Sequence, residues 1–157
     1  MEGPAGKKLL LDSNIVLDFI NRRERFYDDA RLLMLAGRVG EHSLWITTSQ
    51  VSDIVYVATE GGKPSLVPQV LGRMRRLRSF VHVYALTERD IDMMLATTYC
   101  DPEDALLLEA AVQMQADAII TRDASFPGSD AVNVFDCPGF FKWMKDEYGI
   151  SYAEIDV

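Results

Sequence analysis

The chain has 157 residues, of which 48% are apolar and 25% charged, a balance typical of one globular domain with a sizeable core. Its formal net charge of −8 argues against binding nucleic acid over the whole surface, so a polyanion would have to be bound locally or through a metal ion. Without a membrane-spanning apolar run or a signal peptide, we expect one cytoplasmic domain over residues 1–157, with residues 1–7 as a polar lead-in.

Cysteine and histidine do not indicate a metal site or a disulfide framework. The two cysteines, Cys100 and Cys137, and the two histidines lack the spacing of zinc ligands. We therefore expect both cysteines to be buried, reduced thiols.

The first third of the chain alternates strands with helices. Residues 8–11 form a short apolar strand followed directly by Asp12, and apolar residues then continue at helical spacing. A helix is predicted over residues 28–38, closed near Gly37 or Gly40. A strand over residues 44–48 ends before Ser49, a candidate N-cap, and Asp53 is then expected near the first turn of the next helix.

The middle of the chain continues the alternation. Apolar positions predict an amphipathic helix from Val67 to Leu77, and residues 80–86 alternate as a strand. Thr87 and Asp90 then form a capping-box start for another helix.

The stretch from Asp101 to Asp123 predicts one helix and one buried strand. Asp101 is a good N-cap, Pro102 is favoured at the first helical position, and Asp104 lies in the acidic first turn. The apolar run 118–120 is typical of a parallel strand covered on both faces. A strand over 132–135 and a helix over 138–148 follow. The alternation predicts a three-layer α/β/α sandwich with a central, mostly parallel sheet.

Four aspartates fall at strand ends or helix starts on the same predicted edge of this sheet: Asp12, Asp53, Asp104 and Asp123. Two carboxylates about 4 Å apart repel by roughly 4 kcal/mol at an effective dielectric of 20, so clustered acids either protonate in part or hold a cation. Oxygen ligands of this kind favour Mg²⁺, and Mn²⁺ accepts the same ligands. The sequence therefore predicts a divalent metal site at this edge.

Each of the four aspartates lies within a longer motif, and together these motifs resemble the PIN domain across most of the chain. The motifs are Leu-Leu-Leu-Asp12-Ser-Asn-Ile-Val-Leu-Asp, Ser49-Gln-Val-Ser-Asp53-Ile, Asp101-Pro-Glu-Asp104-Ala-Leu and Ile-Ile-Thr-Arg-Asp123-Ala-Ser-Phe126. They occur in the order in which the family has them. The family often has glutamate where this chain has Asp53, and more commonly threonine where it has Ser13.

The resemblance implies a ribonuclease site that depends on magnesium or manganese, with the four aspartates as its metal ligands and catalytic acids. It also implies that Asn14 and Thr121 are polar positions that orient the acids or the scissile phosphate. In bacteria such domains frequently serve as VapC-type toxins of toxin–antitoxin pairs. We accordingly expect an RNA substrate, an antitoxin as protein partner, and a homodimer.

Simpler interpretations remain for each residue taken alone. Asp101 and Asp104 also suit a capping box, Asp12 and Asp123 are also common turn residues, and Asp53 is equally suited to a solvated helix face. Arg122 could bind a phosphate or form a salt bridge to an acid.

Residues outside the four motifs are given structural roles. The basic run from Arg73 to Arg78 is interpreted first as a solvated helix face, with contact to RNA or an acidic partner as the alternative. Trp143 with its aromatic neighbours is interpreted as the buried side of a terminal helix, with an exposed dimer or antitoxin surface as the alternative. The remaining acids are interpreted as surface or capping residues: Asp18, Asp28, Asp29, Asp90 and Asp92.

Two other classes of function compete with the nuclease. A catalytically degenerate module could keep the fold and bind a basic partner at the acidic edge. A phosphatase or receiver domain also has an aspartate after its first strand. This chain, however, lacks a second aspartate two residues after Asp12 and a lysine after the strand at 118–120.

Overall fold

Five parallel strands form one sheet within residues 6–98 and 101–152, which are the residues that the computed structural model describes. Cys100 and most of the predicted lead-in lie outside these ranges. The strands are β1 (Lys8–Leu11), β2 (Ser43–Thr47), β3 (Val81–Tyr84), β4 (Ala118–Ile120) and β5 (Asn133–Phe135). Their spatial order is β3-β2-β1-β4-β5, and each neighbouring pair is parallel.

Helices cover both faces of the sheet, which confirms the predicted three-layer α/β/α fold. They are α1 (Ser13–Ile20), α2 (Tyr27–Arg38), α3 (Thr48–Ala58), α4 (Val67–Arg78), α5 (Glu88–Leu95), α6 (Pro102–Gln113) and α7 (Cys137–Tyr148). Leu9 and Leu11 of β1 pack into one apolar cluster, and Leu10 packs into a second cluster with α6. This alternation explains why a run of three leucines is fully buried.

The start of α3 corrects a predicted cap. Thr47, not Ser49, is the N-cap, and the side chain of Gln50 accepts a hydrogen bond from the backbone N–H of Thr47 at 2.8 Å. The side-chain amide of Gln50 also donates to the carbonyl oxygen of Leu11 at 2.8 Å, so the cap is tied to β1. Because the helix begins at Thr48, Asp53 lies in its second turn rather than near its first.

Gly37 lies inside α2 rather than after it. A Cβ at this position would come within 2.4 Å of the Leu44 side chain, so only glycine allows β2 to pack this closely against the helix. The chain turns away at Gly40, whose φ of +82° is in the left-handed region. The alternative of closure near Gly40 is therefore correct.

The C-terminal helix packs as predicted. Phe140 and Met144 of α7 are fully buried, and Trp143 is half-buried. The thiol of Cys137 is buried as expected, and this burial, with the nearby charge of Asp29, raises its pKa to about 12.

In the described part of the chain, no helix has the length and apolar content needed to cross a bilayer.

Candidate metal site at the carboxyl edge of the sheet

The order of the strands reverses between β1 and β4. From β1 the chain moves outward through β2 to β3, and on the other side β4 is followed by β5. Ligands of open parallel sheets bind at such a reversal, outside the carboxyl ends of the two strands. Asp12 directly follows β1, and Asp123 lies three residues beyond the end of β4.

Asp12 is anchored through its backbone while its carboxylate faces a neighbouring loop. Its N–H donates to the carbonyl oxygen of Ile120 at 2.8 Å. It occupies the N-cap position of α1, yet its side chain makes no capping hydrogen bond. Instead, Oδ2 accepts a hydrogen bond from the hydroxyl of Thr121 at 2.7 Å. The carboxylate is thus positioned by β4 rather than used by its own helix.

Asp123 is held in a tight turn after β4. Its Oδ1 accepts hydrogen bonds from the backbone N–H of Ser125 at 2.9 Å and from the Ser125 hydroxyl at 2.7 Å. These bonds lower the pKa of Asp123. The backbone N–H of Asp123 donates to the Thr121 hydroxyl at 3.1 Å, so the same buried threonine contacts both acids.

Asp104 has a pKa that is raised well above its ordinary value. Burial and the negative charges of Asp101, Asp123, Asp12 and Glu103 raise its pKa to about 6. Asp104 lies in the first turn of α6, where the helix dipole favours the ionised form. Burial and repulsion therefore outweigh the dipole. Carboxylates from three separate parts of the chain act on one another at this edge.

Asp101 is the N-cap of α6, as predicted, but the described hydrogen bonds include none from Asp104 back to Asp101 that would complete a capping box. Its Oδ1 accepts hydrogen bonds from the backbone N–H groups of Glu103 at 2.9 Å and Asp104 at 3.4 Å. The cap satisfies donors at the start of α6 and leaves the Asp104 carboxylate outside these bonds. Capping and clustering of acids thus occur together.

Asp53 stands apart from the other predicted ligands. It is exposed on α3 and is not among the charges that act on Asp104. Asn14 is half-buried in the first turn of α1, and among the described residues no hydrogen bond joins its side chain to an acid. Their roles at the site stay predictions.

The acids form a set of oxygen donors without the geometry of a finished metal site. Within residues 6–98 and 101–152, no three acidic, histidine or cysteine side chains are close enough to hold an ion together. Magnesium commonly keeps several waters and takes only one or two carboxylates, so a closed cage is not required. A cation would also relieve the repulsion that raises the pKa of Asp104. The donor set therefore fits a hydrated divalent ion.

Asp18 is a structural acid that the sequence interpretation placed wrongly. It is 1% exposed rather than on the surface, and it pairs with Arg122, whose Nε lies 2.8 Å from Oδ2 and whose Nη2 lies 3.1 Å from Oδ1. Arg23 adds a second ion pair at 3.3 Å. Helical spacing was the available clue, since Asp18 lies three residues after the buried Ile15.

Arg122 forms a salt bridge to an acid, which was one of its two predicted roles. Its guanidinium is bound on one side by Asp18 and lies 4.1 Å from the centroid of the Phe26 ring. These contacts fix the backbone between Thr121 and Asp123. Arg122 thereby helps to hold the segment that carries Asp123.

Comparisons with known proteins agree with this architecture. A family model described as PIN domain matches residues 8–125. Among solved structures, VapBC2 from Rickettsia felis, bound to a DNA fragment from its promoter, has a TM-score of 0.56 and 14% identity, covering 80% of this chain and 96% of that chain. A toxin–antitoxin complex from Klebsiella pneumoniae has a TM-score of 0.58 and 19% identity, covering 79% and 94%. At these identities the similarity shows a common fold. No curated protein sequence matches the chain.

Proposed function

This chain belongs to the PIN-domain family, and from that premise we propose that it is a metal-dependent endoribonuclease that hydrolyses phosphodiester bonds of RNA. The observation that supports the proposal best is the raised pKa of Asp104 beside Asp12 and Asp123. Burial and mutual repulsion of these carboxylates destabilise the unliganded fold, and a bound cation would relieve the repulsion. Perturbed carboxylates at a sheet edge are a common mark of a functional site.

The aspartates act in this proposal as ligands of Mg²⁺ or Mn²⁺. Asp12, Asp104 and Asp123 hold the ion, and Asp53 completes the set from α3. A bound divalent ion would supply a Lewis acid and an acidified water for attack on phosphorus. With a pKa of about 6, Asp104 is mostly ionised at pH 7.5 and so available as a ligand. Thr121 keeps Oδ2 of Asp12 in place by donating to it.

We further propose that the chain is the toxin of a type II toxin–antitoxin pair and acts in the cytoplasm. The two similar structures are both toxin–antitoxin complexes. An acidic edge is a natural target for an arginine or lysine of an antitoxin, which would neutralise the same carboxylates that hold the metal ion. A homodimer is part of the proposal, since Ile91, Met93 and Leu95 of α5 are 38%, 47% and 72% exposed and a second copy would cover this apolar surface.

A catalytically degenerate module that binds a basic partner is the second candidate. One observation favours it: among the described residues, the acids do not form a ready-made group of three ligands. Both candidates would bind cations or cationic side chains at the acidic edge, so binding does not separate them. They differ in whether the chain cleaves RNA.

The test is RNA cleavage by the purified chain. We expect cleavage of labelled single-stranded RNA with Mn²⁺ and none with EDTA. Asp104→Asn and Asp123→Asn should abolish cleavage with an unchanged circular dichroism spectrum, whereas Asp92→Asn on the exposed face of α5 should cleave normally. Activity retained by either site variant would remove that residue from the mechanism. Manganese binding without cleavage of any RNA would favour the degenerate module.

A further inference from the structure

A groove with a volume of about 520 Å³ lies between α1, α2 and α4, away from the acidic edge. Five arginines line it, contributed by three separate stretches of the chain. They are Arg22, Arg31, Arg38, Arg73 and Arg76, and we call this surface the arginine groove.

The positive charges of the arginine groove are not neutralised within the fold. None of the five arginines forms an ion pair with another described residue. Arg73 donates one hydrogen bond through Nη1 to the carbonyl oxygen of Ile20 at 2.9 Å, which orients its guanidinium. In a chain with a net charge of −8, five unpaired cations in one groove indicate an anionic ligand.

Aromatic rings accompany the arginines. Phe19 and Tyr27 line the groove half-buried, and their rings are stacked with centroids 6.1 Å apart at 13°. The guanidinium of Arg22 lies 5.8 Å from the Tyr27 ring centroid, and Phe80 lines the groove as well. Basic grooves with aromatic side chains are typical of surfaces that bind single-stranded nucleic acid.

The arginine groove and the acidic cluster lie at opposite ends of the same helix. Asp12 immediately precedes α1, and Arg22 follows its last residue by two positions. A helix of eight residues is about 12 Å long, so a short stretch of extended chain can reach from one site to the other.

We propose that the arginine groove binds the phosphate backbone of the RNA substrate outside the point of cleavage. This inference rests on the proposed function, because the nuclease reaction supplies the polyanion. The guanidinium fork matches phosphate oxygens in two parallel hydrogen bonds. RNA is favoured over an acidic protein segment because the stacked rings of Phe19 and Tyr27 accompany the arginines, as in grooves that bind single-stranded nucleic acid. The groove thus supplies the local attraction that an acidic protein otherwise lacks.

The test measures RNA binding without cleavage. A fluorescein-labelled RNA of mixed sequence, about 12 nucleotides long, is titrated in EDTA at several salt concentrations. The double variant Arg38→Gln, Arg76→Gln removes two charges from the arginine groove. Arg75→Gln, Arg89→Gln removes two exposed charges elsewhere and serves as the matched control. All four substituted side chains are exposed, so thermal melts of both variants should match the parent.

We expect the groove variant to bind about 10- to 30-fold more weakly at 0.1 M salt, with a log–log salt slope reduced by about 1.4, since each lost phosphate contact removes about 0.7 from the slope. The control should change affinity by less than about threefold. An equal loss in both variants would overturn the proposal. So would intact RNA binding combined with lost binding of a poly-glutamate peptide, which would identify a docking surface for an acidic protein.

The outcome of this binding test can be distinguished from the outcome of the test for ribonuclease activity. Groove-dependent RNA binding by a chain that never cleaves RNA would reject the reaction and leave the groove assigned. Cleavage by a chain whose groove variant binds RNA as well as the control does would reject the groove and leave the reaction.

Discussion

The hydroxyl of Thr121 donates a hydrogen bond to Oδ2 of Asp12 at 2.7 Å, across 109 residues of sequence. The hydroxyl oxygen of Thr121 also accepts a hydrogen bond from the backbone N–H of Asp123 at 3.1 Å. One buried hydroxyl therefore sets the relative position of two acids that follow neighbouring strands.

We expect Thr121→Val to lower the rate of RNA cleavage about tenfold, because the Asp12 carboxylate loses the donor that holds it. The unfolding free energy should fall by only about 1 kcal/mol, the usual net contribution of one hydrogen bond. Initial rates with Mn²⁺ and denaturant titrations measure the two effects. Thr121→Ser keeps the hydroxyl and should restore most of the rate. A valine variant with the parent's rate would show that Thr121 has no positioning role.

The buried pair of Asp18 and Arg122 should matter more for stability than an exposed pair of similar geometry. Asp18→Asn leaves the guanidinium of Arg122 without its counter-charge, and we expect a loss of about 2–3 kcal/mol in unfolding free energy. The matched control is Asp146→Asn, which breaks the exposed pair with Lys142 at 2.6 Å. It should leave stability unchanged within error. Equal effects in denaturant titrations would contradict the structural role of Asp18.

Asp104→Asn should stabilise the metal-free fold in a pH-dependent way. The pKa of Asp104 is about 6 in the fold, against an ordinary value of 3.8, so its ionised form is disfavoured in the native state. The gain from the substitution is therefore complete above pH 6, shrinks between pH 6 and 4, and disappears below pH 4. Screening limits it to about 1 kcal/mol, or roughly 2–4 °C in Tm. Thermal melts in EDTA across this pH range measure it. A destabilised variant at pH 7.5 would contradict the repulsion.

Much of the fold could be predicted because the sequence signals for its helices and strands are local. The apolar run at β4, the Asp101 cap of α6, and the capping box of Thr87 and Asp90 all lie within a few neighbouring residues. The alternation of strands and helices then predicts a parallel sheet, whose carboxyl ends share one edge. That reasoning placed Asp12, Asp104 and Asp123 at one edge, where burial and the charges of the other acids raise the pKa of Asp104. It placed Asp53 there as well, but Asp53 is exposed on α3 and is not among those charges.

Features that depend on distant partners could not be predicted. The burial of Asp18 requires Arg122, 104 residues further along the chain. The cap of α3 depends on Gln50, which is held by a carbonyl of β1. The arginine run of α4 is mostly exposed, as predicted, but the arginine groove appears only when α2 adds Arg31 and Arg38 beside it. Pairwise geometry of this kind comes from packing and leaves no periodic pattern in the sequence.

The central claim is that remote carboxylates form one cation site, and a calorimetric titration with Mn²⁺ at pH 7.5 tests it most directly. We expect the parent chain to bind Mn²⁺, and Asp12→Asn and Asp104→Asn to weaken binding at least about tenfold. Asp53→Asn should have a smaller effect, since Asp53 does not act on Asp104, and Asp92→Asn should have none. Manganese binding that is unchanged in both Asp12→Asn and Asp104→Asn would contradict the account.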